Sequence, residues 1–134
     1  MGHNEISGIY CNYGHWSLID MPYTYRVYIV DLKKAVLGVN KFKARNPNYQ
    51  EGKPCVYVGS TGISVEERFK QHVCGKKSKK GKSLSNKYVK TYGKRLRYND
   101  IKNIRPRKTR LSIEKKEAEV ATELQSKGWA VWWG

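Results

Sequence analysis

The chain has 134 residues and a strongly basic composition, with 27 Lys and Arg side chains against 11 acids and a net charge of +16. This length suits one domain with a single core, and the charge predicts a polyanionic partner rather than a small-molecule substrate. The three scattered cysteines indicate neither a disulfide framework nor a zinc site, so we expect reduced thiols in a cytoplasmic protein. No apolar run in the sequence has membrane-spanning length.

Most of the excess charge lies between residues 76 and 110, which hold 15 basic side chains and one acid, Asp100. Apolar residues interleave with these cations, so the pattern predicts an ordered basic surface rather than a solvated tail. We expect this surface to bind the phosphates of a nucleic acid. The candidate contacts are Lys76, Lys77, Lys79, Lys80, Lys82, Lys87, Arg95 and Arg97.

The chain divides into an arm and one domain. Residues 1–22 are rich in Gly, Asn, His and Tyr without periodicity, and we expect them to form an N-terminal arm. The domain is predicted over 23–134. Within it, residues 33–53 break into Gly, Asn, Pro and Lys, which indicates a long basic insertion between two strands. Long connections of this kind are often functional, and this one is a further candidate for contact with nucleic acid.

Two strands are predicted on either side of that insertion. The first runs from Tyr23 to Asp31, where alternate residues divide between two faces. The second runs from Cys55 to Gly59 and is β-branched and aromatic. Antiparallel pairing of these strands would bring Tyr28 and Tyr57 onto neighbouring positions.

A well-marked helix start follows the second strand. Ser64 and Glu67 have the spacing of a capping box, in which the serine hydroxyl accepts a hydrogen bond from an amide of the first turn. Arg68 and His72 are four residues apart and therefore share one face of the helix. An Arg and a His side by side, close to a strand that ends in Tyr and Gly, predict a functional site.

The elements after the basic loop are predicted from weaker patterns. Residues 84–92 have the spacing of a short helix, and a basic strand is predicted between Leu96 and Ile104. A long helix is predicted from Ser112 to Lys127, and residues 129–133 form a closing strand or an aromatic lid.

The long helix carries an acid in an unexpected position. Ile113, Val120 and Leu124 form one narrow apolar stripe, and Glu117 falls in the middle of it. A carboxylate on the buried face lowers stability unless a cation, a metal or hydrogen bonds satisfy it. Glu117 is therefore a candidate metal ligand, whereas an ion pair with a lysine is the plain structural alternative.

The order of these tyrosines, the Arg–His pair and the glutamate along the chain resembles that of the GIY-YIG nuclease family. The module of that family has a Gly-Ile-Tyr strand, a Tyr-Ile-Gly strand, a helix with an Arg and commonly a His, and a later helix with a Glu. Arg26-Val27-Tyr28 stands for the first motif and Tyr57-Val58-Gly59 for the second, and Arg68, His72 and Glu117 match the rest.

Two parts of this resemblance have alternatives. Gly8-Ile9-Tyr10 spells the first motif literally but lies 47 residues before Tyr57, and the strand pattern favours Tyr28. The Asn that often follows the glutamate helix has no counterpart here, which leaves Glu114 and Glu119 as poorer substitutes for Glu117.

The resemblance implies a small α/β domain of the α+β type, with a mostly antiparallel central sheet flanked by helices. It implies a metal-dependent DNA endonuclease that leaves 5′-phosphate and 3′-hydroxyl ends. Tyr57 and His72 would assist the attacking water, Arg68 would hold the phosphate, Tyr28 would complete the catalytic set, and Glu117 would bind Mg²⁺ or Mn²⁺. The substrate could also be RNA. The oligomeric state stays open between a monomer and a homodimer. The alternative function is a catalytically silent basic module that binds nucleic acid.

Overall fold

The computed structural model describes residues 25–74 and 87–134. In chain order the elements are β1 (Arg26–Leu32), a 3-10 helix (Lys34–Gly38), α1 (Asn40–Ala44), β2 (Cys55–Thr61), α2 (Val65–Cys74), α3 (Lys87–Tyr92), β3 (Gly93–Leu96), α4 (Tyr98–Ile101), α5 (Arg110–Ser126) and β4 (Ala130–Trp133). The predicted arm over 1–22 lies outside the described residues, as do Lys76, Lys77, Lys79, Lys80 and Lys82. No helix in the described ranges is long and apolar enough to cross a membrane.

The strands form one sheet in the order β3-β1-β2-β4. β1 runs antiparallel to both β2 and β3, which confirms the mostly antiparallel sheet predicted from the sequence. β4 is the exception and runs parallel to β2. A parallel pair requires a long crossover, and α5 supplies it immediately before β4.

Side-chain alternation gives the sheet two different faces. One face carries Tyr28 and Tyr57 and is covered mainly by α2 and α3; we call it the tyrosine face. The other carries valines and isoleucines such as Val27 and Val58 and is covered by α5; we call it the aliphatic face. These aliphatic side chains are almost fully buried, and each contributes roughly 1.5–3 kcal/mol of hydrophobic stabilisation.

The strand predicted between Leu96 and Ile104 is wrong. β3 ends at Leu96, and the following residues form the short helix α4. Ile101 and Ile104 both pack against the aliphatic face, and their spacing of three is typical of a helical turn rather than of a strand. The Arg97 Nε donates to the Asp100 carboxylate at 2.7 Å, which stabilises this turn from within.

The insertion over 33–53 contains two helical elements that its residue pattern did not predict. Val36 from the 3-10 helix and Phe42 from α1 are completely buried in the core of the tyrosine face. Their burial fixes the backbone of the insertion against the sheet. The segment is therefore an ordered part of the domain, although its composition is that of a loop.

The free edge of β4 is covered by one side chain of the insertion. The Asn46 Oδ1 accepts a hydrogen bond from the Val131 amide at 2.7 Å, and its Nδ2 donates to the Val131 carbonyl at 3.1 Å. Gln125 of α5 also donates to the Asn46 Oδ1, at 2.8 Å. Asn46 thus satisfies backbone groups that an edge strand otherwise exposes, and it joins the insertion to β4 and α5.

The expectation of reduced thiols is wrong at Cys74, which is disulfide-bonded. Cys55 is a buried free thiol within β2. The spacing of cysteines along a chain does not reveal which of them the fold brings together, so this bond could not be predicted from the sequence.

Candidate active site

The centre of the site is a pair of tyrosines on β1 and β2. The register places Tyr28 opposite Gly59 and Val30 opposite Tyr57, so the two tyrosines are diagonal neighbours with ring centroids 6.0 Å apart. A Cβ atom at Gly59 would lie 2.5 Å from the Tyr28 hydroxyl oxygen and 2.6 Å from its Cζ. Glycine at this position therefore creates the space in which the Tyr28 phenol lies.

His72 of α2 contacts both tyrosines. Its Nε2 lies 2.7 Å from the Tyr28 hydroxyl, at hydrogen-bond distance, and its ring centroid is 5.7 Å from that of Tyr28 and 5.9 Å from that of Tyr57. Burial, together with the positive charge of Arg68, lowers the pKa of His72 to about 3. The imidazole is therefore neutral at physiological pH, and it forms a hydrogen bond with the Tyr28 hydroxyl as an uncharged group.

The start of α2 fixes the orientation of the Arg and the His. The Ser64 hydroxyl accepts a hydrogen bond from the Glu67 amide at 3.0 Å, which confirms the predicted serine cap. Phe69 is buried among the core residues of the tyrosine face and anchors the same helix. Arg68 is half-buried beside His72, and its Nη1 donates to the Gln71 side chain at 2.8 Å.

The ionisation of both phenols depends on burial and on neighbouring charges. Burial raises the pKa of Tyr28 well above its ordinary value, and Arg68 opposes this effect. Burial also raises the pKa of Tyr57, followed by the negative charge of Glu117, whereas Tyr28 and Arg68 lower it. Both phenols are thus protonated at neutral pH in the protein without substrate, and both can donate hydrogen bonds.

Glu117 approaches from the opposite face of the sheet. It lies on α5 between Ile113 and Val120, is only 8% exposed, and occupies the inward position that the sequence predicted. Burial raises the pKa of Glu117, while hydrogen bonds from the Ser60 side chain and the Gly134 backbone lower it. The hydrogen bonds with Ser60 and Gly134 place Glu117 where β2 and β4 end, and its negative charge raises the pKa of Tyr57.

The oxygen atoms around Glu117 suit a magnesium-type site. Glu117 supplies one carboxylate and Ser60 a hydroxyl, and within 25–74 and 87–134 no group of three or more His, Cys, Asp or Glu side chains comes together. Mg²⁺ commonly binds through one or two carboxylates, with water and substrate phosphate completing the shell. The residues present fit that mode of binding and do not fit a metal cage built from protein ligands.

The two alternatives to Glu117 occupy less suitable positions. Glu119 is exposed and lies 3.5 Å from the Lys116 ammonium. Glu114 is exposed one turn before Glu117 on α5, and its charge raises the pKa of Glu117. Neither contributes a buried carboxylate to the end of β2.

The described basic residues that were predicted to bind nucleic acid differ in how they are held. Arg97 is engaged within the fold, because its guanidinium contacts Asp100 at 2.7 Å and Asp31 at 3.4 Å and lies over the Trp129 ring. Arg95 is 3.7 Å from Asp31 but keeps an exposed side chain, and Lys87 is exposed on α3. Arg97 therefore joins α4 to the sheet, while Arg95 and Lys87 present charge to solvent.

Two contributors to the site were missed at the sequence level. Ser60 follows Val56 and Val58 at every second residue of β2, and this period of two could have placed its hydroxyl on their face, the one that carries Glu117. The backbone of Gly134 left no comparable signal, because a main-chain contact depends on where β4 ends and not on side-chain identity.

The comparison with protein families agrees with this geometry. A family model described as the GIY-YIG catalytic domain matches residues 48–129, which are 82 of the 134 residues of the chain. The match contains β2, α2 and α5, and hence Tyr57, Arg68, His72 and Glu117; β1, with Tyr28, precedes it. Comparisons with curated proteins and with solved structures gave no match.

Proposed function

We propose that this chain, which belongs to the GIY-YIG family of nucleases, is a divalent-metal-dependent DNA endonuclease that leaves 5′-phosphate and 3′-hydroxyl ends. The observation that carries the proposal is the hydrogen-bonded pair of Tyr28 and His72, held beneath Tyr57 and beside Arg68, with a buried carboxylate at the same end of the sheet. A fold that only binds nucleic acid has no need for this arrangement of buried polar groups.

Arg68 is the residue proposed to hold the scissile phosphate. Its guanidinium is half-buried, donates one hydrogen bond to Gln71 and is also hydrogen-bonded to the Tyr28 phenol. Arg has five N–H donors in a planar fork that matches two phosphate oxygens, so donors remain for the substrate. This contact would strengthen as negative charge develops on the phosphate in the transition state.

Tyr57 is proposed to orient the attacking water and to accept its proton, with the pair of Tyr28 and His72 holding the phenol in place. A phenol acts as a base only after it loses its own proton to solvent. Burial and the charge of Glu117 raise the pKa of Tyr57 against that step, Arg68 lowers it, and a cation at Glu117 would remove one of the two opposing effects. Because the pKa of His72 is lowered to about 3, its imidazole is a weak base, and its proposed role is to hold the Tyr28 phenol through their hydrogen bond rather than to take a proton.

Glu117 is the proposed metal ligand, with Ser60 beside it. Mg²⁺ or Mn²⁺ bound there would neutralise the charge that develops on the phosphate and on the 3′ leaving oxygen. The Ser60 hydroxyl and the Gly134 backbone favour the ionised form of Glu117, which is the form that a cation binds.

The test is incubation of supercoiled plasmid with the purified protein, with Mg²⁺ and separately with a chelator. The wild-type protein should nick or linearise DNA only when metal is present. Glu117→Gln should abolish cleavage, whereas Glu123→Gln, a matched change on the exposed face of α5, should leave it intact. Cleavage by Glu117→Gln would overturn the metal assignment, and salt-sensitive binding without cleavage by any protein would favour the silent binding module.

A further inference from the structure

The described insertion presents positive charge that the proposed catalytic set does not use. Residues 33–53 contain six Lys and Arg side chains and one acid, Glu51. Three of the cations lie in or directly after α1 and are exposed: Lys41, Lys43 and Arg45. We call these three residues the α1 cations.

The α1 cations stand on a rigid base. Phe42, between the two lysines, is completely buried, with its ring 6.2 Å from Trp132 in a stacked arrangement and 5.5 Å from Tyr88 in an edge contact. Asn46 fixes the following turn to Val131 through two hydrogen bonds. Little conformational entropy is therefore lost when a ligand binds these cations, at least in the backbone that carries them.

Among residues 25–74 and 87–134, no acid forms an ion pair with an α1 cation. Among the described residues, the ion pairs involve Lys94, Arg95, Arg97 and Lys116, and none involves an α1 cation. Arg45 lies over the rings of Trp132 and Trp133 at 4.0 Å and 4.9 Å, which holds its guanidinium in place without neutralising its charge. Three uncompensated and ordered cations are suited to a polyanion.

The position of Arg45 connects this cluster to the proposed metal ligand. The Arg45 Nη1 donates to the Trp133 carbonyl at 3.1 Å, and the backbone of the next residue, Gly134, is hydrogen-bonded to Glu117. The end of β4 is therefore shared by the α1 cations and by the Glu117 carboxylate. A DNA strand with its scissile phosphate at Glu117 would place neighbouring phosphates within reach of α1.

We propose that the α1 cations form a binding surface for the DNA backbone beside the catalytic centre, so that the insertion holds the substrate next to Glu117. This inference rests on the proposed function, because it takes DNA as the substrate. The surface is proposed to contact phosphates, since the groups that it exposes are cations on one short helix and on the residue after it. It adds to the contacts expected from the exposed cations of the 76–110 region.

The test measures the salt dependence of DNA binding with a chelator present, in the Glu117→Gln background, so that cleavage plays no part. Substituting all three α1 cations by Gln should lower the slope of log affinity against log salt by about 2–3 and weaken binding about tenfold or more at low salt. Arg45→Lys should keep the slope, because it keeps the charge. The control removes two exposed cations outside both basic regions, with Lys115 and Lys127 substituted by Gln, and is compared with the double substitution of Lys41 and Lys43.

The inference is overturned if the slope is unchanged in the triple variant, or if the control lowers the slope as much. The double substitution of Lys41 and Lys43, both exposed, keeps the test valid if loss of Arg45 impairs folding; it should lower the slope by about 2. An unchanged slope beside normal plasmid cleavage by the wild type would reject only this surface. A lowered slope beside absent cleavage would retain the surface and reject the nuclease.

Discussion

The two faces of the sheet contribute to the same site in different ways. On the tyrosine face, Tyr28, Tyr57 and His72 are buried in mutual contact, and their polar atoms have partners within the protein. On the aliphatic face, Glu117 is a buried carboxylate packed among apolar side chains, with Ser60 and the Gly134 backbone as hydrogen-bond donors.

This difference indicates a division of labour between geometry and charge. The tyrosine face is assembled before substrate binds, because its hydrogen bonds and ring contacts fix the side chains in place. The aliphatic face provides a negative charge at the end of the sheet, and burial makes that charge costly until a cation arrives. Substitutions on the tyrosine face should therefore disturb structure and catalysis together. Substitutions at Glu117 should abolish metal binding and cleavage and leave the fold intact.

On the tyrosine face, the largest effect is expected at Arg68, the residue proposed to hold the phosphate. Arg68→Ala should lower turnover by about 10²–10³, because it removes a donor that acts mainly on the transition state. DNA affinity should change little, since one phosphate contact among many contributes little to binding. Single-turnover cleavage and binding assays separate the two effects, with the exposed Arg110→Ala as the matched control. Equal losses of affinity and turnover would show that Arg68 is only a binding residue.

Gly59→Ala tests whether the tyrosine face requires its open space. The added Cβ would overlap the Tyr28 hydroxyl, which is held by His72, so Tyr28 must move. We expect cleavage to fall by about 10², with a loss of about 1–3 kcal/mol in the free energy of unfolding. Gly38→Ala is the control, because no atom lies within 4 Å of a Cβ there. Full activity of Gly59→Ala would contradict the preassembled arrangement.

The support for the aliphatic face can be tested through the edge of β4. Asn46→Ala should lower the free energy of unfolding by about 2–4 kcal/mol, because it leaves the Val131 amide and carbonyl without their partner. Chemical denaturation measures the loss, and Asn48→Ala, an exposed neighbour, should be nearly neutral. A loss for Asn46→Ala as small as that for Asn48→Ala would mean that solvent replaces these bonds.

The smallest expected effect concerns the protonation of His72. Because its pKa is lowered to about 3, the folded protein binds fewer protons at this residue than the unfolded chain does at any pH between about 3 and the ordinary value of 6.5. Stability is therefore fully present above that window and falls as the pH decreases, by about 2 kcal/mol between pH 7 and pH 5. His72→Gln should flatten this dependence in urea titrations. An identical pH slope in both proteins would exclude His72 as the cause.

The sequence predicted those parts of the fold that local patterns determine. The cap at Ser64 located α2, and the stripe of Ile113, Val120 and Leu124 located α5 and the inward position of Glu117. The helix begins at Arg110, two residues before the prediction, because the Thr109 side chain accepts a hydrogen bond from the Ser112 amide. The alternation around Tyr28 predicted which of its neighbours share a face of the sheet.

The sequence did not predict features that depend on long-range contacts. The insertion looked like a loop because burial of Phe42 arises only when α1 meets Trp132 and Tyr88. The basic residues after Leu96 did not show the periodicity of a helix, so α4 was not predicted; an ion pair between Arg97 and Asp100 stabilises it. The position of Glu117 on the face opposite the tyrosines depends on how α5 crosses the sheet, and no local pattern contains that information.

The central claim is that Glu117 and the tyrosine face form one site around a metal ion. The most direct test is a Mg²⁺ titration followed by NMR of the tyrosine ring signals, without DNA. A cation at Glu117 would neutralise the charge that raises the pKa of Tyr57, so the Tyr57 signals should shift in the wild type and stay unchanged in Glu117→Gln. The claim would be contradicted if the Tyr57 signals of the wild type did not shift on addition of Mg²⁺, or if they shifted equally in Glu117→Gln.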